Sequence, residues 1–145
     1  MPEARAPLNA AGQGAAVGQW QPWSANAVER SLSAGQPVFV DFTASWCLSC
    51  QVNERVALDQ SEVMQAFQAK NVALLKADWT RQDPAITEAL TALGRSGVPV
   101  YALYTPGQTD PQLLPQVLTP GIVTDALSKL PSPAAQASAN SSKLQ

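Results

Sequence analysis

Histidine is absent from this chain of 145 residues, and cysteine occurs only twice, at Cys47 and Cys50. Without histidine, the chain cannot carry Ser-His or Cys-His catalysis or the ordinary zinc sites. Two cysteines so close in sequence cannot join distant segments, so a structural disulfide framework is excluded. A local redox pair, or half of a metal site, remains for the two cysteines.

Charged residues are also few, at 14% of the chain, and they sum to a net charge of −2. They are scattered without a basic patch, which argues against nucleic acid or an anionic membrane surface as a partner. The longest strongly apolar run, residues 98–104, is far too short to cross a bilayer. The amino terminus has no cationic start or continuous apolar stretch, so it does not resemble a signal peptide. Hydrophobic residues make up 46% of the chain, which is ample for one core.

Composition divides the chain into three parts. Residues 1–19 and 131–145 are rich in alanine, with glycine or serine and proline, and show no sustained apolar period. We therefore predict a flexible linker, a single domain at residues 20–130, and a disordered tail. Such flanks suggest a module that is tethered within a longer protein, with simple fraying of the ends as the alternative.

Helical and strand patterns alternate between residues 20 and 130. Strands are predicted at residues 38–42, 72–78, 98–104 and 112–117. Helices are predicted at residues 24–35, 83–94 and 119–130. A longer helix is predicted to begin near Cys47, with an interruption at residues 58–61, where Ser61 caps its second half. The apolar positions of the long interrupted helix are Val52, Val56, Val63, Met64 and Phe67. This order of elements predicts an α/β sandwich with a central mixed sheet.

Cys47 and Cys50 lie where a predicted buried strand passes into a predicted helix. Their spacing places both sulfurs on one face of the first helical turn, close enough to bond or to separate with little backbone movement. Cys47 also lies at the helix N-terminus, where free N–H groups and the macrodipole favour a thiolate. We therefore expect Cys47 to be the nucleophile and Cys50 the resolving cysteine. A half zinc site completed by carboxylates and a pair of inert core thiols are the alternatives.

The segment Val-Asp-Phe-Thr-Ala-Ser-Trp-Cys-Leu-Ser-Cys at residues 40–50 resembles the active-site segment of the thioredoxin superfamily. Gly97-Val98-Pro99 resembles the cis-proline loop of the same superfamily. The resemblance covers about residues 36–130 and implies a thioredoxin fold, with a central mixed β-sheet flanked by helices on both faces, and no cofactor. Within the superfamily, residues 50–54, 76–80 and the helix that begins at Asp83 resemble the C-terminal periplasmic domain of the DsbD and ScsB thiol:disulfide interchange protein family.

This resemblance implies a protein-disulfide reductase that receives electrons from a membrane-embedded DsbD-type domain and passes them to a periplasmic redox domain. Such partners reduce disulfide isomerases or serve cytochrome c maturation. The chain would be a soluble periplasmic domain of an inner-membrane protein, monomeric and not itself inserted in the membrane. A free-standing periplasmic thioredoxin or oxidant, and a thioredoxin-fold binding module without turnover, are the alternatives. Leu48-Ser49 differs from the Gly-Pro of thioredoxin, the Pro-His of DsbA and the Val-Ala of some DsbD proteins, so the redox potential stays open.

Two carboxylates are candidate catalytic residues beside the cysteines. By the resemblance, Asp41 matches a buried carboxylate below the disulfide, where a raised pKa would let it relay the proton of Cys50. A solvent-facing aspartate at the strand end is the alternative. Glu54 shares a helical stripe with both cysteines, and its charge would disfavour the Cys47 thiolate. An exposed helical glutamate without a role is the alternative there.

Three residues are candidates for partner binding. The resemblance predicts a cis peptide bond before Pro99, and a Val98 backbone that pairs with the partner's chain as a short added strand. A trans proline at the start of an edge strand is the alternative. Trp46 is expected to shield the Cys47 sulfur and to offer a contact surface, or else simply to pack. Trp79 and Tyr101 are predicted to be core or surface aromatics without a further role.

Overall fold

A computed structural model describes residues 19–131 of the chain. Its strands are β1 Trp20–Pro22, β2 Val38–Thr43, β3 Ala73–Asp78, β4 Val100–Tyr104 and β5 Gln112–Leu113. Its α-helices are α1 Ala25–Ser33, α2 Leu48–Asn53, α3 Ser61–Ala69, α4 Pro84–Ala92 and α5 Pro120–Ser128. A π-helical segment, Glu54–Leu58, continues α2 directly. The predicted linker and tail fall outside the described residues, apart from residues 19 and 131.

The strands form one mixed sheet in the order β1-β3-β2-β4-β5. Both β1 and β2 run parallel to β3, whereas β4 is antiparallel to β2 and to β5. Every residue of the central strand β2 is buried. Helices α1 and α4 pack on one face of the sheet, and the π segment, α3 and α5 pack on the other. The predicted α/β architecture, with helices on both faces of a mixed sheet, is confirmed.

Helix boundaries follow the predicted capping residues closely. The side chains of Ser24, Asp83 and Thr119 each accept a hydrogen bond of 2.8–3.1 Å from a backbone N–H two or three residues later. These bonds satisfy N–H groups that have no partner within the helix. Helices α1 and α4 are followed by Gly35 and Gly94, whose φ angles of +82° and +78° suit glycine. Local cap chemistry therefore determines where these helices begin and end.

The helix predicted to run on from Cys47 departs from expectation in two ways. Val52 and Val56 are 44% and 43% exposed, so they are not core positions. Ser61 is the first residue of α3, and Gln60 occupies the cap position without a side-chain hydrogen bond. The helical segment is interrupted at residues 59–60. The parts before and after the interruption therefore bury different faces, and no single apolar stripe runs through both.

The two edge strands were also predicted incompletely. Strand β1 was not predicted, because three residues that include a glutamine and a proline carry no alternating pattern. The strand predicted at residues 112–117 ends at Leu113. Pro115 follows shortly after and has no N–H to donate to a neighbouring strand. Within residues 19–131, no helix has the length and apolar character needed to span a membrane.

Candidate active site around the Cys47–Cys50 disulfide

Cys47 and Cys50 form a disulfide where the chain leaves β2 and enters α2. Their Cα atoms are 5.2 Å apart, within the usual range for a disulfide. Cys47 is the N-cap residue of α2 and is 6% exposed, whereas Cys50 lies one turn inside the helix and is fully buried. Cys47 is therefore the more accessible residue of the pair, as its predicted nucleophilic role requires.

The Cys47 sulfur has two nearby hydrogen-bond donors. The backbone N–H of Cys50 donates to Cys47 Sγ at 3.2 Å, and the hydroxyl oxygen of Ser49 lies 3.6 Å from the same sulfur. Once the disulfide is reduced, donors in these positions favour a thiolate over a thiol at Cys47. The contact with Ser49 was not predicted, although its place between the cysteines could have suggested it.

The loop before Cys47 is held by the segment that follows β3. Trp46 Nε1 donates to the carbonyl oxygen of Thr80 at 3.0 Å, and the Ser45 N–H donates to Thr80 Oγ1 at 2.8 Å. The Trp46 ring also lies 6.0 Å from the ring of Trp79, measured between centroids. Trp46 nevertheless remains 55% exposed beside the disulfide. It can therefore offer the contact surface that the sequence suggests.

The loop before β4 faces the disulfide. The Val98–Pro99 peptide bond is cis, as the resemblance predicted. The Val98 side chain packs against a small buried cluster of Ala44 and the two cysteines. The backbone on which partner pairing was predicted is thus next to the reactive sulfurs.

Asp41 is a fully buried carboxyl group on β2. Its register partners are Lys76 on β3 and Tyr101 on β4. Neither carboxyl oxygen has a hydrogen-bond partner among residues 19–131. Burial raises the pKa of Asp41 to about 8, the negative charge of Glu54 adds to this rise, and the positive charge of Lys76 opposes it. The structure thus rules out a solvent-facing aspartate, and Asp41 can hold or release a proton near neutral pH.

Glu54 is the first residue of the π segment and is half-buried. Thr43 Oγ1 donates a hydrogen bond of 3.2 Å to Glu54 Oε2, which joins this residue to the end of β2. Its charge is close enough to Asp41 to raise the pKa of that carboxyl. Glu54 therefore turns toward the sheet beneath the active-site helix, next to the buried carboxyl.

Asn53 is a site residue that sequence reasoning missed. Its side-chain amide donates to Tyr101 Oη at 2.9 Å and to the carbonyl oxygen of Gln116 at 2.7 Å, and its Oδ1 accepts from the Leu118 N–H at 3.1 Å. These bonds tie the active-site helix to β4 and to the loop after β5. Burial raises the pKa of Tyr101 far above its usual value, so this phenol stays protonated. No pattern in the sequence links residues so far apart.

The assembled site has the parts that thiol–disulfide exchange needs. An accessible cysteine at a helix N-terminus can attack a disulfide, and a buried cysteine one turn away can resolve the mixed disulfide. A buried carboxyl with a pKa near neutrality lies under the same helix. Within the described residues, no group of three or more cysteine, aspartate or glutamate side chains could hold a metal ion.

Comparison with known proteins places this site in a family. A model of thioredoxin-like proteins matches residues 19–106. The chain is similar to the thiol:disulfide interchange protein DsbD 1 of Pseudomonas aeruginosa, with 32% identity over 102 residues, which is 67% of this chain and 17% of that protein. It is also similar to DsbD of Ralstonia nicotianae, with 41% identity over 54 residues, 37% of this chain and 9% of that protein. The chain thus spans about a sixth, or less, of the length of these relatives.

Solved structures share the same fold. The C-terminal domain of Neisseria meningitidis DsbD in its reduced form superposes with a TM-score of 0.61 at 20% identity, covering 78% of this chain and all of that domain. Trxlp of Edwardsiella tarda superposes with a TM-score of 0.60 at 26% identity, covering 75% of this chain and 98% of that protein. The chain belongs to the thioredoxin-like family, and its Cys47–Cys50 disulfide has the geometry that thiol–disulfide exchange requires.

Proposed function

We propose that this chain is a protein-disulfide reductase domain that relays electrons from a membrane-embedded DsbD-type domain to a redox domain in the periplasm. The observation that carries the proposal is the Cys47–Cys50 disulfide, with Cys47 at the start of α2 and Cys50 buried. Its similarity to proteins named for thiol:disulfide interchange, of which it matches only a part, supports a place within a longer relay. The domain itself acts as a monomer and needs no cofactor.

The relay consists of two exchange reactions. In the first, the donor's dithiol reduces the Cys47–Cys50 disulfide and becomes a disulfide itself. In the second, the Cys47 thiolate attacks the acceptor's disulfide and forms a mixed disulfide, releasing one acceptor thiolate. Cys50 then attacks Cys47 Sγ, which restores the internal disulfide and releases the second acceptor thiol. Two electrons and two protons pass to the acceptor.

Asp41 is the proton carrier in this scheme. Cys50 is fully buried, so its proton has no direct route to water when it attacks the mixed disulfide. A carboxyl whose pKa is about 8 exchanges protons readily at the pH where the reaction runs. Glu54 acts through its charge, which raises the pKa of Asp41 towards that of a thiol and disfavours the Cys47 thiolate until a partner is bound.

Partner recognition uses the surface around the accessible sulfur. Trp46 lies exposed next to Cys47, and the backbone at Val98 borders the disulfide before the cis Pro99. An extended segment of the partner pairs with the backbone at Val98 as a short added strand. This pairing would hold the partner's sulfur against Cys47 while the mixed disulfide forms.

Trapping tests the proposed roles of the cysteines. Cys50→Ala should accumulate a mixed disulfide through Cys47, because the resolving thiol is missing. Non-reducing gels with a disulfide-bonded protein such as insulin would show the adduct. Cys47→Ala is the matched control, and equal trapping by that variant would contradict the mechanism.

The redox potential separates a reductase from an oxidant. Equilibration with glutathione should give a value near the roughly −270 mV of thioredoxin. A value near the roughly −120 mV of DsbA would instead make the domain an oxidant. Failure to accelerate the reduction of insulin by dithiothreitol would reduce it to a binding module.

A further inference from the structure

Exposed apolar side chains of the described region concentrate on the active-site helix and its entry. Five large apolar side chains are exposed within residues 19–131, and four of them belong to residues 46–56. These four are Trp46, Leu48, Val52 and Val56, with exposed fractions of 55%, 78%, 44% and 43%. Apolar residues scattered singly over a surface are ordinary, whereas a group of this kind marks an interaction site.

Three of these residues form a continuous line, which we call the apolar ridge: Leu48, Val52 and Val56. They follow one another at intervals of four residues, so they share one side of the helix. At 1.5 Å per residue the ridge is about 12 Å long. At 100° per residue, Leu48 and Val52 each lie about 160° around the helix from the buried Cys50. The ridge therefore faces away from the sheet.

We propose that the apolar ridge is a docking surface for a folded redox protein that presents an apolar groove beside its own disulfide. This inference rests on the proposed function, because a mixed disulfide must place such a partner on Cys47. Leu48 follows Cys47 directly, so a protein bonded to that sulfur also covers the start of the ridge. The three ridge side chains are apolar and the exposed Arg55 borders them, so an apolar groove with a polar rim is the surface that complements the ridge.

The length of the ridge decides between kinds of partner. A small disulfide can reach Cys47 without touching Val52 or Val56, because these residues lie one and two turns further along the helix. A folded protein that covers the helix buries both valines. Pairing with a second copy of this chain would cover Trp46 and Leu48 and close access to Cys47, which a turning-over enzyme must keep open.

The test compares a protein disulfide with a small one. In the double variant Val52→Ser/Val56→Ser, both changes lie outside the proposed machinery on exposed positions. Its kcat/KM in the dithiothreitol-driven reduction of insulin should fall about tenfold, mainly through a higher KM. The reason is that the variant no longer buries two valine side chains when the protein substrate docks. The rate at which the reduced protein reacts with oxidised glutathione should stay unchanged. Val117→Ser is the matched control, since Val117 is 73% exposed but lies off the helix, and it should leave both rates unchanged.

Three results would overturn the docking surface. Unchanged insulin kinetics in the double variant would show that the valines do not contact the partner. An equal loss with insulin and with glutathione would show that they act on the cysteine pair. A dimer of the wild-type protein in sedimentation that the double variant abolishes would assign the ridge to a second copy. By contrast, a wild-type protein that turns over neither substrate would contradict the proposed function itself.

Discussion

The two faces of the sheet differ in the side chains that they bury. On the face covered by α1 and α4, every buried residue of the strands is apolar. Its buried residues from the strands are Val38, Val40, Phe42, Ala73, Leu75, Ala77, Val100 and Ala102. Such a face can pack densely without any polar group that needs a partner.

The opposite face of the sheet is also apolar at the end away from the disulfide, but it carries polar side chains near the disulfide. Phe39, Leu74 and Leu103 pack against the π segment, α3 and α5. Nearer the active-site end, the positions on this face carry Asp41 and Lys76, which are register partners. We call the buried or half-buried polar residues beneath the active-site helix the polar layer; they are Asp41, Thr43, Asn53, Glu54, Lys76 and Tyr101.

The difference shows how the fold separates stability from chemistry. Because successive residues of a strand point to opposite faces, β2 can supply Phe42 to the apolar core and Asp41 to the site from adjacent positions. A carboxyl without a hydrogen-bond partner is costly to bury when it is charged. That cost raises its pKa, which is the property that a proton carrier for Cys50 needs.

The largest expected effect is the pH dependence that Asp41 gives to stability. The folded protein keeps Asp41 protonated up to about pH 8, whereas the unfolded chain releases this proton above about pH 4. The folded state therefore binds more protons in this window, and stability falls as the pH rises through it. Asp41→Asn should remove this slope and make the oxidised protein more stable at pH 8 by up to roughly 5 kcal/mol.

Guanidinium unfolding of the oxidised protein between pH 4 and pH 9 measures this slope. Asp125→Asn, at an exposed position of α5, is the control and should retain the wild-type slope. A wild-type slope in Asp41→Asn would mean that this carboxyl is charged in the folded protein, and the proposed contrast between the faces would fail.

A core truncation on the apolar face should affect stability alone. Leu75 is fully buried there, and Leu75→Ala should lower the free energy of unfolding by about 2–4 kcal/mol. The redox potential of the cysteine pair, measured against glutathione, should not change. A shifted potential would show that this face also influences the site.

The two tyrosines of β4 offer a matched comparison of the faces. Tyr101 accepts a hydrogen bond from Asn53, so Tyr101→Phe should cost about 1 kcal/mol. Tyr104 packs against the apolar cluster and has no side-chain hydrogen bond within the described chain. Tyr104→Phe should therefore be neutral or slightly stabilising in the same unfolding measurement. An equal loss of unfolding free energy in the two variants would contradict the proposed difference between the polar layer and the apolar face.

The smallest expected effect concerns the reactivity of Cys47. Glu54→Gln removes a negative charge beneath the helix, so the thiolate becomes easier to form. The rate of iodoacetamide alkylation at pH 6 should rise about three- to tenfold in the reduced protein. Asp41 is already protonated at pH 6, so Asp41→Asn should leave this rate unchanged, but it should slow the resolution of a mixed disulfide by Cys50.

Glu62→Gln, on an exposed position of α3, is the control for this measurement and should alkylate like the wild type. Peptide mapping should locate the label on Cys47. If Glu54→Gln leaves the alkylation rate unchanged and Asp41→Asn leaves the resolution rate unchanged, the two carboxylates are scaffold residues and the cysteines alone carry the reaction.

Features that depend on near neighbours along the chain can be predicted from the sequence alone. The spacing of Cys47 and Cys50 at a strand-to-helix junction is enough to predict a redox pair and the order of its two cysteines. Ser24, Asp83 and Thr119 predict helix starts because a cap bonds to N–H groups only two or three residues away. The burial of Asp41 was implied only by the resemblance to the thioredoxin superfamily, because its apolar neighbours Val40 and Phe42 point to the opposite face of the sheet.

The side of the active-site helix that faces the sheet depends instead on contacts between residues far apart in the chain. Residues 50–58 contain an apolar line through Val52 and Val56, which the sequence analysis named among the apolar positions of the long helix. The structure instead buries the side that holds Asn53, because its amide meets Tyr101 and the loop after β5 there. These partners are 48 to 65 residues away along the chain. A polar group can be buried only where its hydrogen bonds are met, and bonds across such separations exist only once the chain has folded.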